Sequence, residues 1–527
     1  MRRADRTAAA PRVWRRLVVL LIILAGTPAV SSAESAGRPA LQSLREQRAE
    51  QRLLAGHLLR RLGFGPNRRE MHEVLRIGRA AYTERQLHPE QIDDRVGERY
   101  FHPEPSPLHG GYIWQLRWLT RMAYSRRQLQ ERMALIWHEH FATSVFKVGY
   151  FTLMHDQEEL FRTHGLGSFR DLLIAVSRDN AMLIYLDNTY NNGQAVDGEG
   201  NRIPPNENYA RELLQLFSLG VHKLNLDGTL VLDEDGTPVP AYTERDVKEV
   251  ARALTGWYAN TPVSMPEDPT EIVPPAGFEP YLHDPGEKLV LGEVIAADDV
   301  DPAADLERVV DVIMRQPTTA PFIAKQLIFK LATETPSPAY VKRVGAVFAL
   351  RGGDLRATVR AILTDPEFYS PATVRSQYKE PIEHVIGAFR GLGAHSRGAT
   401  LFYWTSVAQQ QLYLPPSVFS FYRPGQKGSL VTTGHVANRD QATDMLASGY
   451  VDQFFDSTWD ARGTIRRHRL AIRPARAVDL LAQDLLAAPL TPAVRQIVLD
   501  YVGPRVTEEK LRGAAWLIMC SPDYQVN

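Results

Sequence analysis

Apolar residues recur at intervals of three and four over most of the chain beyond residue 33, and that spacing restricts the fold to packed helices. Residues 41–62 form a charged amphipathic stretch that stops at Gly63-Phe64-Gly65-Pro66, where glycine and proline end a helix. Asn67 is placed to cap the next helix, with Glu70 reaching back to it. Residues 112–142 and 167–186 continue the pattern. Thr243-Glu-Arg-Asp246 opens another helix, Val247, Val250, Ala251 and Leu254 form its buried stripe, and Gly256 ends it. Helices are expected again over 306–314, 320–331, 339–350, 355–363, 379–392, 405–412, 439–454, 477–487, 492–501 and 507–519. Alternating runs at 228–239 and 278–295, broken by Asp-Gly and Asp-Pro-Gly turns, read as small hairpins, with a proline-rich and acidic loop over 261–280. No repeat of fixed period is present, so a regular solenoid is not expected. The fold class is mainly α: a large multi-helix globular protein with one or two small β-hairpins. Beyond a signal peptide at 1–33, the pattern divides into a helical region over 34–257, a loop and hairpin region over 258–302 and a second helical region over 303–527 sharing one core with the first.

Lys and Arg number 61 against 61 Asp and Glu, so no basic excess points to nucleic acid. With 44% hydrophobic and 23% charged residues, the chain is neither disordered nor a multi-pass membrane protein. Six arginines precede the apolar run 17–25, and Ser31-Ser32-Ala33 offers small residues for cleavage. That run is shorter than the ~20 residues a bilayer span needs. It reads as an export signal, for which the strongly apolar segment fits the general secretory route better than the twin-arginine route. The expected location is periplasmic or extracellular, with no membrane attachment after cleavage. The single cysteine, Cys520, excludes an internal disulfide, so burial of the core has to hold the exported protein together; Cys520 itself lies in an apolar stretch and reads as an inert core residue.

Three segments carry groups capable of chemistry. In Trp137-His138-Glu139-His140-Phe141 the histidines stand at i, i+2. On a strand both would reach one metal; on a helix they diverge, so that one faces a site and the other satisfies a core hydrogen bond. In Asn206-Glu207-Asn208-Tyr209-Ala210-Arg211-Glu212, Asn208 and Glu212 share one helical face at i, i+4, which suits a general acid–base or a metal ligand. His283-Asp284, followed by Lys288, lies at a hairpin turn. Two acidic loops, 197–201 and 233–237, resemble the start of calcium loops but depart from that pattern at later positions, with Asn208 in the twelfth place of one and Pro238 in the sixth of the other. Walker, dinucleotide-binding, nucleophile-elbow and paired Cys-x-x-Cys motifs are missing.

Read in order, the blocks Leu58-Leu-Arg-Arg-Leu-Gly-Phe-Gly-Pro66, Trp137-His-Glu-His-Phe141, Phe169-Arg-Asp-Leu-Leu173, Tyr185-Leu-Asp-Asn188 and Pro205-Asn-Glu-Asn-Tyr-Ala-Arg-Glu-Leu213 resemble the bacterial domain-of-unknown-function family numbered 1800. So do Ala251-Arg-Ala-Leu-Thr-Gly-Trp257, His283-Asp284, Pro415-Pro-Ser-Val-Phe419, Phe421-Tyr-Arg-Pro424 and Ser521-Pro-Asp-Tyr-Gln525. His138, His140, Asn208, Arg211 and Glu212 stand where that family has those residue types, whereas Glu139 replaces an expected Asn or Asp, which counts against a ligand there. The resemblance implies export and a helical fold but no reaction, and it implies a secreted, sulfatase-like partner of the family numbered 1501. The functional expectation is a hydrolase of an extracellular polymer. Its site is expected at Glu212, Asn208, His138 and His140, with a divalent metal on His138, His140, Glu212, His283 and Asp284 as one version. The sequence leaves the cofactor open, a divalent metal being one option. The alternative is a non-catalytic surface or assembly protein that binds a partner protein or glycan.

Overall fold

The computed structural model describes residues 44–95, 112–264, 271–298, 300–422, 430, 432–449 and 457–527; the expected export segment lies outside them. The protein is mainly helical, and where strong local signals exist the elements fall close to their expected places. Leu44–Arg61 ends before the glycine–proline break. Arg68–Ile77 is capped by the Asn67 side chain, which accepts from the Glu70 amide. Thr243 and Asp246 form a reciprocal capping box on Glu244–Ala253, satisfying two helix-end donors. One expectation shifts: the helix placed over 405–412 runs instead over Ala399–Val407. Gln409, with φ of 68°, then turns the chain out of helical conformation.

The β structure is small. Trp257–Tyr258 pairs antiparallel with Gly277–Phe278, and Lys288–Val290 with Glu293–Ile295. The region expected as a hairpin at 228–239 is a three-sided arrangement. Val231 N–H bonds to Lys223 O, Val239 N–H to Val231 O and Lys223 N–H to Val239 O, so each segment donates to one neighbour and accepts from the other.

One hydrophobic cluster includes buried side chains from Ala55 to Tyr524. Gln128–Phe141 runs through it with every residue except Gln130 and His140 buried. It packs against Phe151–His164, Ile113–Tyr124 and the turn Leu213–Ser218. A helix enclosed on all sides must find internal partners for its polar residues, because an unpaired buried polar group costs about 1–3 kcal/mol. That requirement draws Glu131, Arg132, His138 and Glu139 into contact with distant parts of the chain. Among the described residues no helix is long and apolar enough to cross a membrane.

Candidate functional site

Gln128–Phe141 is a helix through the whole Trp137–Phe141 motif, so its two histidines diverge. His138 is in the core, where its Nε2 accepts the Tyr413 amide hydrogen at 3.2 Å and its ring meets Trp118 and Tyr413. Since Nε2 is the acceptor, the neutral ring carries its proton on Nδ1. His140 turns toward Leu213–Ser218, a π-helical turn, and its Nε2–H donates to Phe217 O at 3.0 Å. Phe217 lies in the last turn of that element, where a carbonyl has no donor within the helix and must find one elsewhere. Ala142, with φ of 50°, ends the motif helix in left-handed conformation.

Burial lowers both imidazoles to about 4, against the usual 6.5. A depressed histidine contributes stability that is complete above the unfolded value and disappears as pH falls toward the folded one. For His138 that window runs from 6.5 down to about 4 and corresponds to about 3 kcal/mol. In denaturant titrations across this range, His138→Gln, which retains an acceptor but does not titrate, should lose correspondingly less stability than the wild-type protein.

Beside His140 lies a cavity of about 180 Å³ that opens to solvent. Glu139, His140, Lys330 and Tyr422 supply polar groups to its wall, and Trp137, Leu216, Phe329, Val418 and Phe419 supply apolar surface. Glu139 is the best-held of these. Its Oε2 is 2.6 Å from Lys330 Nζ, and its Oε1 accepts from Gln410 Nε2 at 2.9 Å. The same amide nitrogen donates to Glu380 Oε2 at 2.9 Å, and Lys330 Nζ stands 3.5 Å from Glu380 Oε1. Two buried carboxylates therefore share one ammonium and one amide. Burial pushes the Glu139 carboxyl up to about 7, with repulsion from Glu380 adding to it and Lys330 opposing it. Burial alone would lower the Lys330 ammonium, but Glu139 and Glu380 hold it above its ordinary value.

A second layer fixes these groups. Arg132 donates to Glu383 Oε1 at 2.6 Å and to Lys330 O at 3.1 Å. Arg61 donates to Lys330 O and to Gln377, and its Nη1 lies 4.0 Å from Glu383 Oε1. Glu383 also accepts the Glu380 amide hydrogen and the Asn527 side-chain amide. Ile382 N–H holds the Gln410 carbonyl oxygen at 2.9 Å. Three cations (Arg61, Arg132, Lys330) thus face three carboxylates (Glu139, Glu380, Glu383), a balance that offsets the cost of burying them. Gln409, Tyr413 and Ser420, with φ of 68°, 62° and 66°, bring strained left-handed backbone to the same neighbourhood.

The other groups singled out in the sequence occupy separate places. Glu212 is half-buried and does not line the cavity, although Leu216, one turn later, does. Burial raises its carboxyl, Arg211 opposes this, and its charge adds to the burial that raises Tyr185 to about 12. Asn208 donates to Asp187 Oδ2 at 2.9 Å beside Lys147, toward the surface. His283 is buried, with Nδ1 3.0 Å from Thr255 O and Nε2 3.3 Å from Asp305 Oδ2. Asp284 pairs with Arg252 and Arg202. Asp197 and Asp233 each accept amide hydrogens of their own turns.

His138, His140, Glu212, His283 and Asp284 therefore do not gather as one ligand set. Among the described residues only His155, Glu158 and Glu159 bring three potential ligand atoms within 4.8 Å of one another. Arg162 and Arg121 already pair with both carboxylates, and Trp114 stacks on His155 at 4.0 Å, so that trio is a neutralised ion-pair cluster. Sequence reasoning missed Glu380, Lys330 and Gln410 and discounted Glu139. The available signal was Glu139 itself, a carboxylate between two histidines in a helix too apolar to leave it in water.

Residues 57–526 match the model of a family described as a protein of unknown function (DUF1800). No curated protein and no solved structure matches the chain. The match takes in the cavity, its charged floor and the terminal Ser521–Gln525 block, and the chain belongs to the DUF1800 family.

Proposed function

We propose that this protein is an exported hydrolase of an extracellular polymer in which Glu139 is the general acid–base. The observation that carries the reading is geometric: on the wall of a solvent-open cavity the Glu139 carboxyl, which burial beside a second carboxylate pushes up to about 7, lies 2.6 Å from Lys330 Nζ and shares the Gln410 amide with Glu380. Near neutrality such a group is present in both protonation states, the condition for taking a proton from attacking water and returning it to a leaving group. Lys330, kept charged by two carboxylates, supplies positive potential where negative charge develops on the substrate. Glu380 and Gln410 position Glu139. The cavity is lined mostly by apolar and aromatic side chains with a few polar groups among them, the composition of a site that holds and orients a small unit of substrate. Export rests on the arginine-rich, apolar beginning of the chain.

The alternative of a non-catalytic binding protein is favoured by one observation: Glu139, Lys330 and Gln410 all have partners, as interior struts do. Release of soluble products from purified polysaccharide, peptidoglycan and protein substrates separates the two. Hydrolysis of one of them is expected, with a pH dependence that breaks near 7; binding to a polymer with no product released contradicts the hydrolase reading.

A further inference from the structure

Helix Thr319–Leu331 carries Phe322, Lys325, Gln326, Phe329 and Lys330 at spacings of three and four, so these residues share one face. Gln326, Phe329 and Lys330, at one end of that face, line the Glu139 cavity. Phe322 and Lys325, at the other end, line a second open cavity of about 310 Å³, to whose wall Gln326 and Phe329 also belong. The two cavities therefore adjoin across Gln326 and Phe329. From Phe322 to Lys330 the shared face runs about 12 Å along the helix axis. Val221, Leu224 and Leu230, from the three-sided arrangement, line the rest of the second cavity.

Polar groups without a protein partner mark this cleft. Gln326 is half-buried, and its side-chain amide makes no hydrogen bond among the described residues. Ser420, on the wall of the first cavity in left-handed conformation, holds its hydroxyl buried and unpaired. An unpaired buried hydroxyl costs stability until a ligand or water completes it. Amide and hydroxyl each donate and accept, which suits a ligand rich in hydroxyls better than one of fixed charge. Around them Phe322, Phe329 and Phe419, the last 39% exposed, supply aromatic surface. A sugar ring, apolar on its C–H faces and hydroxylated at its rim, matches this mixture.

An extended peptide would find less. Lys223, Val231 and Val239 spend both main-chain groups on one another, and Leu224 N–H donates to Thr318 Oγ1 at 2.9 Å. The segment bordering the second cavity is thus not a free strand edge, the feature that captures extended peptides.

We infer that the polymer is a polysaccharide whose chain lies along Thr319–Leu331 and fills both cavities, with one unit beside Glu139 and the next over Phe322 and Lys325. Ser420 hydrogen-bonds the first unit, and Gln326 holds the chain where the cavities meet. The inference rests on the Glu139 cavity as the place where the polymer binds.

The test is calorimetric titration of the purified full chain with cello-, xylo- and chito-oligosaccharides of one to six units, and with casein peptides for comparison. Saturable binding of at least one sugar series is expected, at least tenfold tighter for two or more units than for one, with no saturable binding of the peptides. Gln326→Ala, which removes no hydrogen bond within the protein, should weaken the longer sugars about fivefold to tenfold without changing Tm. Phe322→Ala should erase the gain from the second unit. Absence of saturable heat with every sugar series, an affinity independent of length, binding of peptides instead, or undiminished affinity in both variants would overturn the inference. Binding does not require cleavage, so the outcomes separate: length-dependent sugar binding with no product released defeats only the acid–base role of Glu139, whereas cleavage of protein without sugar binding defeats only the choice of polymer.

Discussion

Glu383→Leu is expected to cost about 3–5 kcal/mol of folding stability, the range seen when one member of a buried ionic network is removed. Glu383 accepts from Arg132 at 2.6 Å, from the Glu380 amide at 2.9 Å and from Asn527 at 2.8 Å, and it faces Arg61. Its loss leaves three cations, two guanidiniums and one ammonium, facing two carboxylates, and removes the contact that starts Pro381–Leu392. Equilibrium denaturation provides the measurement. Adding Arg132→Met to the same chain should recover part of the loss, because the cation left unpaired is then gone. A loss below about 1 kcal/mol, typical of exposed ion pairs, would show that the network does not hold the core.

Glu139→Gln is expected to reduce hydrolysis by about 10²–10⁴-fold, the usual contribution of a positioned acid–base group. The fold should survive, since glutamine keeps a hydrogen-bonding side chain toward Gln410 and Lys330 retains Glu380 at 3.5 Å. Glu212→Gln makes the informative contrast. Glu212 is a carboxylate of similar sequence prominence, but it does not line the cavity, so its variant should keep activity close to wild type. Equal losses in both variants would move the chemistry away from the Glu139 cavity.

The helical fold was legible because its signals are local. Asn67 and Thr243 cap helices from positions that sequence alone identifies, and the divergence of His138 from His140 follows from helical geometry once 128–141 is read as a helix. The site was far less legible, because its members come together only in three dimensions. Lys330 meets Glu139 across 191 positions, and Gln410 meets it across 271. Gln410 follows a left-handed residue in a turn, where no periodicity marks it. Glu139 departs from the residue type expected of the family, which argued against it, whereas its burial beside an ammonium argues for it. His283 and Asp284 illustrate the opposite case, in which conspicuous residues serve a buried network through Thr255, Asp305 and Arg252.

One carboxyl on the cavity wall is expected to change charge near neutrality. Infrared difference spectroscopy as pH is stepped through that range, recorded for the wild-type protein and for Glu139→Gln, tests it directly. A carboxyl-to-carboxylate transition centred near 7 in the wild-type protein and missing from the variant is the expected result. A wild-type spectrum without such a transition, or one that persists unchanged in Glu139→Gln, would contradict it.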